Sequence, residues 1–447
     1  MASTRRWSPQ EHEASVEDHE VEVRRAAEAA ETLYRAGRAR PAPPGTPPFA
    51  HLNARTSYSM RDGAIRPREL AAAAAAAGMT HVAITDRDGL YGAVRFAQAC
   101  AAEGVTPVFG TDLALESVPA APRARGDDRP GWERTRGGRA RETGAVRPGR
   151  GPGWLEDDAA RVTLLARNAA GYGDVCRAIT AAHAEARSDP HLPADALPGA
   201  AASGGVVAVL GVDSPFGRLV ARGHLDAAET ELRHWLEVFG RDDVVLGVRN
   251  HRVAPGGRRS LASGTGGHDL AEPGDDARIR RTLEIADRLR VRAAAVNDVR
   301  YLTPDDAAVA DVLRCVRQQV PLGRHHLGRA TAEAWFTSAA DQHERFRERP
   351  DLLVAAHELA TGCDVDLGIG GLHVPRLSGL SAEVAAGELH QRCWSGAAQR
   401  YTRITPAVRE RLERELEMID QLGLHDLFLA VADIVADVRE LGVLVAC

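Results

Sequence analysis

The chain has 447 residues, is 44% hydrophobic and 26% charged, and carries a formal net charge of -6 at pH 7. That length supports two or three domains with a sizeable core, and the balance is that of ordinary globular proteins. The negative total gives no overall basic field for nucleic acid, although a local basic channel stays open. All 56 Lys+Arg residues are Arg. Schiff-base and P-loop lysine chemistry is therefore excluded within this sequence. The six cysteines (Cys100, Cys176, Cys315, Cys363, Cys393, Cys447) are scattered and form no CxxC pair. This points away from a zinc ribbon or a disulfide framework and toward a reducing, cytoplasmic setting. No apolar run is long enough to span a membrane, and the acidic N-terminus lacks the apolar core of a signal peptide.

Residues 1–40 are polar with a helical stretch, and "PAPPGTPP" (41–48) reads as a stiff linker. From Phe49 onward, strand and helix patterns alternate. "FAHLN" is the first expected strand, followed by a helix over 67–79 with Pro near its first turn and Gly78 near its end. Strands are then expected at 80–85, 105–110, 161–166, 205–211, 243–248 and 293–296. Helices are expected at 91–104, 169–186, near 224–239, near 277–290 and near 305–318. About seven βα units in sequence predict a parallel sheet with crossover helices. A distorted (β/α)7-type barrel fits better than an open sheet, because no GxGxxG follows the first strand.

Two segments interrupt this pattern. Residues 121–153 hold nine Arg and eight Gly and read as a disordered basic insertion. It is either a solvated loop or a contact for a phosphate backbone. Trp132 and Trp154 could stack bases but make a sparse platform. Residues 255–276 form a second Gly-rich loop. After about residue 320 the character turns mostly helical, with amphipathic helices over 407–423 and 425–442. "VLVAC" then reads as the start of a buried strand, which suggests a truncation.

Polar residues at strand ends are the chemical candidates in such a barrel. They are Asn53, Arg55, Asp62, Asp86 and Arg87 in "TDRD", Asp112, His251 in "RNHR", Asp298 and Arg300. Asp and His can hold a divalent metal; arginine cannot, having no free lone pair. Arg87 beside Asp86 and Arg300 near Asp298 could be internal ion pairs filling a vacant metal cavity, or neighbours of an intact site. His325 and His326 are adjacent and so point apart. The alanine run at 71–77 reads as close helix packing.

The stretches "HLNARTSYSMRDGAIRPREL", "GMTHVAITDRDGLYGAVRFAQACAAEGVTPVFGTDLAL", "LLARNAAGYGDVCRAI" and "NDVRYLTPDDAAVADVLRCV" resemble the PHP domain of bacterial C-family replicative polymerases. That family is the DNA polymerase III alpha subunit, and the resemblance is strongest to its error-prone branch. "ERLERELEMIDQLGLHDLFLAVADIVADVRELGVLVAC" is similar to the family's run into its palm. The resemblance implies a polar extension and linker at 1–48, a PHP barrel at 49–320 and the beginning of a palm region at 321–447.

In the family's metal-binding members, the places of Asn53, Arg55, Arg87 and Arg300 hold His, and that of Asp112 holds Glu. Asp62, Asp86 and Asp298 match its acidic positions. His251 matches a late histidine and Arg161 replaces another, both on looser alignment. His51 serves the fold. The resemblance implies a degenerate metal site, with no metal and no catalytic residue in this chain, kept as a scaffold that can present a surface to a separate exonuclease. Asp420, Asp426, Asp433 and Asp437 read as helix-surface charges, not palm catalysts. The whole polymerase would use Mg²⁺, DNA and partners such as a sliding clamp and mutasome proteins. The alternatives are a non-catalytic scaffold or remnant, and a PHP phosphoesterase or 3'-5' exonuclease using Asp62, Asp86, Asp112, His251 and Asp298.

Overall fold

The computed structural model describes residues 42–116, 159–184, 190–253, 274–318, 333–371, 380–443 and 445. The Arg/Gly insertion, the N-terminal helical stretch, His325, His326, Trp132, Trp154 and most of the second Gly-rich loop lie outside them. The chain divides into two compact units at Leu367/Gly368.

The first unit is built on six strands in sequential order: β1 (His81–Arg87), β2 (Thr106–Ala114), β3 (Arg161–Ala166), β4 (Val206–Leu210), β5 (Val244–Arg249) and β6 (Arg292–Val296). Most strand residues are buried apolar side chains, as a sheet covered on both faces requires. The covering helices are α1 (Pro67–Ala76), α2 (Ala93–Glu103), α3 (Ala169–Ala182), α4 (Pro215–Ala221), α5 (Leu225–Phe239), α6 (Asp275–Leu289) and α7 (Ala307–Gln318). Local signals fix several starts. Asn168 Oδ1 accepts from Gly171 N at 3.0 Å to begin α3, and Ser214 Oγ accepts from Gly217 N at 3.0 Å to begin α4. The alanine run of α1 is buried and packs against α2.

Two features differ from the sequence expectation. The sheet is not all parallel, because β3 runs antiparallel to both β2 and β4. The chain leaves β2 and re-enters at the same end, pairing Ala114 with Arg161, so β3 must run backwards. And "FAHLN" is not a regular strand. The extended segment 51–55 instead links β1 to the residues that follow β6. Ala83 N and Thr85 N of β1 donate to the carbonyls of His51 and Ala54, while Arg55 N donates to Val299 O and Val299 N to Asn53 O. The six-stranded sheet is thus curled, and its edges are joined by an isolated bridge between Ala54 and Val299, not by a seventh regular strand.

The compact unit also extends past residue 320, the boundary expected from sequence. Helices α8 (Ala339–Arg345) and α9 (Asp351–Thr361) belong to it. Phe336, Leu352, Leu353, Ala356 and Leu359 join the barrel's core, and α9 packs on β1 and β6. His51 faces this segment, with its Nε2 at 2.9 Å from Thr337 O.

The second unit consists of α10 (Ala382–Arg400), α11 (Pro406–Leu422) and α12 (His425–Glu440). Ser381 and Thr405 cap α10 and α11, and Gly423, at φ 64°, ends α11 in the left-handed conformation that glycine adopts without strain. Ala385, Leu389, Leu416 and Leu429 form its small core. Asp420 Oδ1 meets His425 Nε2 at 2.7 Å and His390 Nε2 at 3.1 Å, and Asp433 pairs with Arg392.

Candidate functional site: a buried arginine–aspartate network

The strand ends converge at one mouth of the barrel. Reversal of β3 matters here, because it brings the first residue of that strand, Arg161, to the end where the other strands finish. Arg55 is the hub. Its Nη1 lies 2.7 Å from Asp62 Oδ2, and its Nη2 lies 2.6 Å from Asp112 Oδ2 and 3.4 Å from Asp298 Oδ1. Arg161 reaches Asp112 Oδ2 through Nε at 3.0 Å and Asp88 Oδ1 through Nη2 at 2.7 Å. Arg300 Nη2 meets Asp298 Oδ2 at 2.8 Å, and Arg249 Nη1 reaches the same oxygen at 3.4 Å. Asp62, fully buried, also receives Arg314 Nη1 at 2.7 Å and faces Arg87 and Arg300, each at 3.5 Å.

These ion pairs set the protonation states. Burial alone would raise the Asp62 carboxyl, but Arg314, Arg55, Arg300 and Arg87 together hold it well below the usual carboxylate range. Burial is likewise outweighed at Asp298 by Arg300, Arg55 and Arg249, which depress it. The Arg55 guanidinium loses solvation on burial, yet Asp298, Asp112 and Asp62 bind its proton well above the ordinary range.

The remaining predicted residues stand apart from these pairs. Asp86 anchors a loop: its carboxylate accepts from Thr56 N at 2.6 Å, Ser59 Oγ at 2.7 Å and Thr56 Oγ1 at 2.8 Å. Burial, only partly offset by these bonds, raises its pKa. The expected Arg87–Asp86 pair therefore gives way to Arg87 facing Asp62, with Asp86 committed to the loop. Asn53 Oδ1 accepts from Asp298 N at 2.9 Å and Asn297 N at 3.3 Å, holding Asp298 in its left-handed backbone conformation, φ 52°. His251 gives its Nε2 to Asn297 O at 2.7 Å; burial first, then Arg249, keeps it well below its ordinary pKa and neutral. The set Asp62, Asp86, Asp112, His251 and Asp298 is thus not assembled around one point.

Sequence reasoning missed Arg249, Arg314 and Asp213. Arg249 ends β5, so the strand-end rule would have found it. Arg314 comes from α7, 252 positions from Asp62, with no local signal. Asp213 lines the rim of an open cleft beside Arg55, Arg161 and Arg249; burial would raise its carboxyl, but Arg249 and Arg300 hold it below the usual range.

The donor set does not fit a metal cluster. The oxygens of Asp62, Asp112 and Asp298 that a cation would need face guanidinium N–H groups, which repel one and offer no lone pair. Among the described residues, no three His, Cys, Asp or Glu side chains are grouped to hold one.

A mixed α/β barrel whose mouth gathers strand-end acids is the frame of a PHP domain, and residues 51–251 match the PHP domain family. Residues 387–447 match the bacterial DNA polymerase III alpha NTPase domain, so the chain carries a PHP domain followed by a polymerase III alpha segment. It is 31% identical over 428 residues to an error-prone DNA polymerase of Nocardia farcinica, covering 92% of this chain and 36% of that protein. It is 28% identical to one of Symbiobacterium thermophilum, covering 88% and 32%. A DNA polymerase III subunit alpha of Pseudomonas aeruginosa is 24% identical, with 88% and 30% covered. The chain spans about a third of the length of these curated relatives and corresponds to their N-terminal part. No described helix is long and apolar enough to cross a membrane.

Proposed function

We propose that this chain forms the N-terminal portion of an error-prone polymerase of the polymerase III alpha type, and that its PHP barrel is a scaffold without metal-dependent hydrolysis. The observation that supports the scaffold reading is Arg55. One guanidinium bridges the three carboxylates, Asp62, Asp112 and Asp298, that a metal-activated hydroxide would require. The whole enzyme would extend DNA from deoxynucleoside triphosphates with Mg²⁺ in the cytoplasm, alongside a sliding clamp and mutasome proteins. Asp420, Asp426, Asp433 and Asp437 occupy helix surfaces of the second unit, and we assign none of them to nucleotidyl transfer.

The test is metal content of the purified chain by elemental analysis, together with 3'-5' hydrolysis of single-stranded DNA and primer extension. All three are expected to be negative for this chain alone. Stoichiometric metal accompanied by hydrolysis would overturn the scaffold reading, and primer extension would place nucleotidyl transfer within these residues.

A further inference from the structure

The last helix of the second unit is apolar on two opposite faces. Inward, α12 (His425–Glu440) packs on α10 and buries Leu429 beside Ala385, Leu389 and Leu416. Successive residues of a helix are turned by about 100°. On that rotation Leu427, Phe428, Val431, Ile434 and the capping Leu441 fall within one arc of about 140°, on the side away from Leu429. Asp426, Asp433, Asp437, Arg439 and Glu440 all lie outside the arc. The five apolar side chains are exposed, Ile434 by 61% and Leu441 by 80%. Together they present on the order of 500 Å² of apolar surface, at the upper end of what an ordinary monomer leaves in one patch. A helix with a second apolar stripe opposite its buried one is built to meet something on both sides.

We propose that this face pairs with the same face of a second copy of the chain, α12 against α12 about a two-fold axis. Two such faces together remove about 1,000 Å² from water, the area at which a specific interface becomes stable. An isologous interface sets each patch against itself, so any charge within it would meet its like. The arc carries none, and self-pairing therefore opposes no like charges. The helix dipoles favour the antiparallel arrangement, in which each positive N-terminal end lies beside the partner's negative C-terminal end. Ile434 is midway between Leu427 and Leu441 along the chain. In an antiparallel pair it meets its own copy at the axis, and Leu427 meets Leu441 of the second copy. The pairing does not rest on the polymerase assignment.

The test is sedimentation equilibrium of the full chain over a concentration series of roughly 1–100 μM. A reversible monomer–dimer equilibrium is expected, with a Kd on the order of micromolar. Ile434→Glu places two like charges at the axis and should weaken the dimer by at least about a hundredfold, with the helical circular dichroism unchanged. Val94→Glu puts the same charge on an exposed apolar position of α2 and should leave the equilibrium as it was. A monomer at every concentration overturns the proposal and leaves the face to a different chain. Open-ended association, or a dimer that Ile434→Glu does not weaken, overturns it as well. Should Ile434→Glu fail to fold, Ile434→Cys is oxidised with diamide at dimer-forming concentration. A disulfide-linked dimer beyond that of the parent chain supports the pairing, and its absence overturns it.

Discussion

Replacing Arg55 with alanine is the most direct perturbation of the network. The side chain is 7% exposed, and its carboxylate partners Asp62 and Asp112 are 0% and 8% exposed, so solvent replaces little of what is lost. Removing one partner of a buried ion pair costs about 3–5 kcal/mol, because a charge remains buried and short of a counterion. Arg55 touches three carboxylates, which argues for the upper end. Each keeps another guanidinium, however: Arg314 on Asp62, Arg161 on Asp112 and Arg300 on Asp298. The expected loss is therefore about 3 kcal/mol, with a Tm lower by roughly 5 °C. Urea unfolding at pH 7.5 measures it. Adding Asp112→Asn to Arg55→Ala should cost less than the sum of the single changes, by about 1–3 kcal/mol of coupling. A loss from Arg55→Ala below about 1 kcal/mol, the value of an exposed pair, would refute the picture of a dry, mutually dependent cluster.

Stability should fall with acid in two stages. Burial lowers the His51 pKa to about 4, so the unfolded chain gains a proton that the folded chain refuses between pH 6.5 and about 4. Stability then drops across that window by about 3 kcal/mol for His51 alone, and His251 adds in the same direction. Below about pH 4, the depressed carboxylates Asp62 and Asp298 must also be protonated on unfolding, and the loss continues. Urea midpoints equal at pH 7.5 and pH 4.5 would contradict this. Gly63→Ala places a Cβ 2.0 Å from Thr56 O and should destabilise the barrel by about 3 kcal/mol, read by thermal melting. Asp86→Asn should cost about 2 kcal/mol by weakening the bonds to Thr56 and Ser59, and proteolysis should then cut the 56–63 loop first.

How far the sequence could be read depended on what each feature rests upon. The strand over 161–166 is a continuous buried apolar run between turn signals, and it forms where expected. Its direction was not readable, since that depends on how the chain returns from β2 and no local pattern encodes it. The segment "FAHLN" pairs through only a few bonds on either side, too short a ladder to be assigned from alternation. Asp86 and Arg87 are sequence neighbours, but successive side chains of a strand point to opposite faces, so they were poor candidates for a mutual pair. Arg300 and Asp298 do pair, across a bend where Asp298 is left-handed, not by strand alternation. The candidate acids and arginines were found because strand ends concentrate them; Arg314 was not, because only the tertiary fold carries α7 to Asp62.

The network also predicts that the site cannot be turned back toward metal binding one residue at a time. Arg55→His would supply an imidazole, yet Arg300 and Arg249 would still hold Asp298, Arg161 would hold Asp112, and Arg314 would hold Asp62. A divalent cation would enter a cavity whose carboxylates remain neutralised and whose walls remain cationic, and repulsion at this depth is poorly screened. The single variant is expected to bind no stoichiometric Mn²⁺ or Zn²⁺ by elemental analysis after dialysis, and to lose stability much as Arg55→Ala does. Joint replacement of Asn53, Arg55, Arg87 and Arg300 by His removes three of the guanidiniums together and frees oxygens on Asp62 and Asp298 for coordination. Binding is expected only in that background, provided the quadruple variant folds once metal is supplied. Stoichiometric metal in Arg55→His alone would mean that the arginines act separately, and that the carboxylates of Asp62, Asp112 and Asp298 were never committed to the guanidiniums around them.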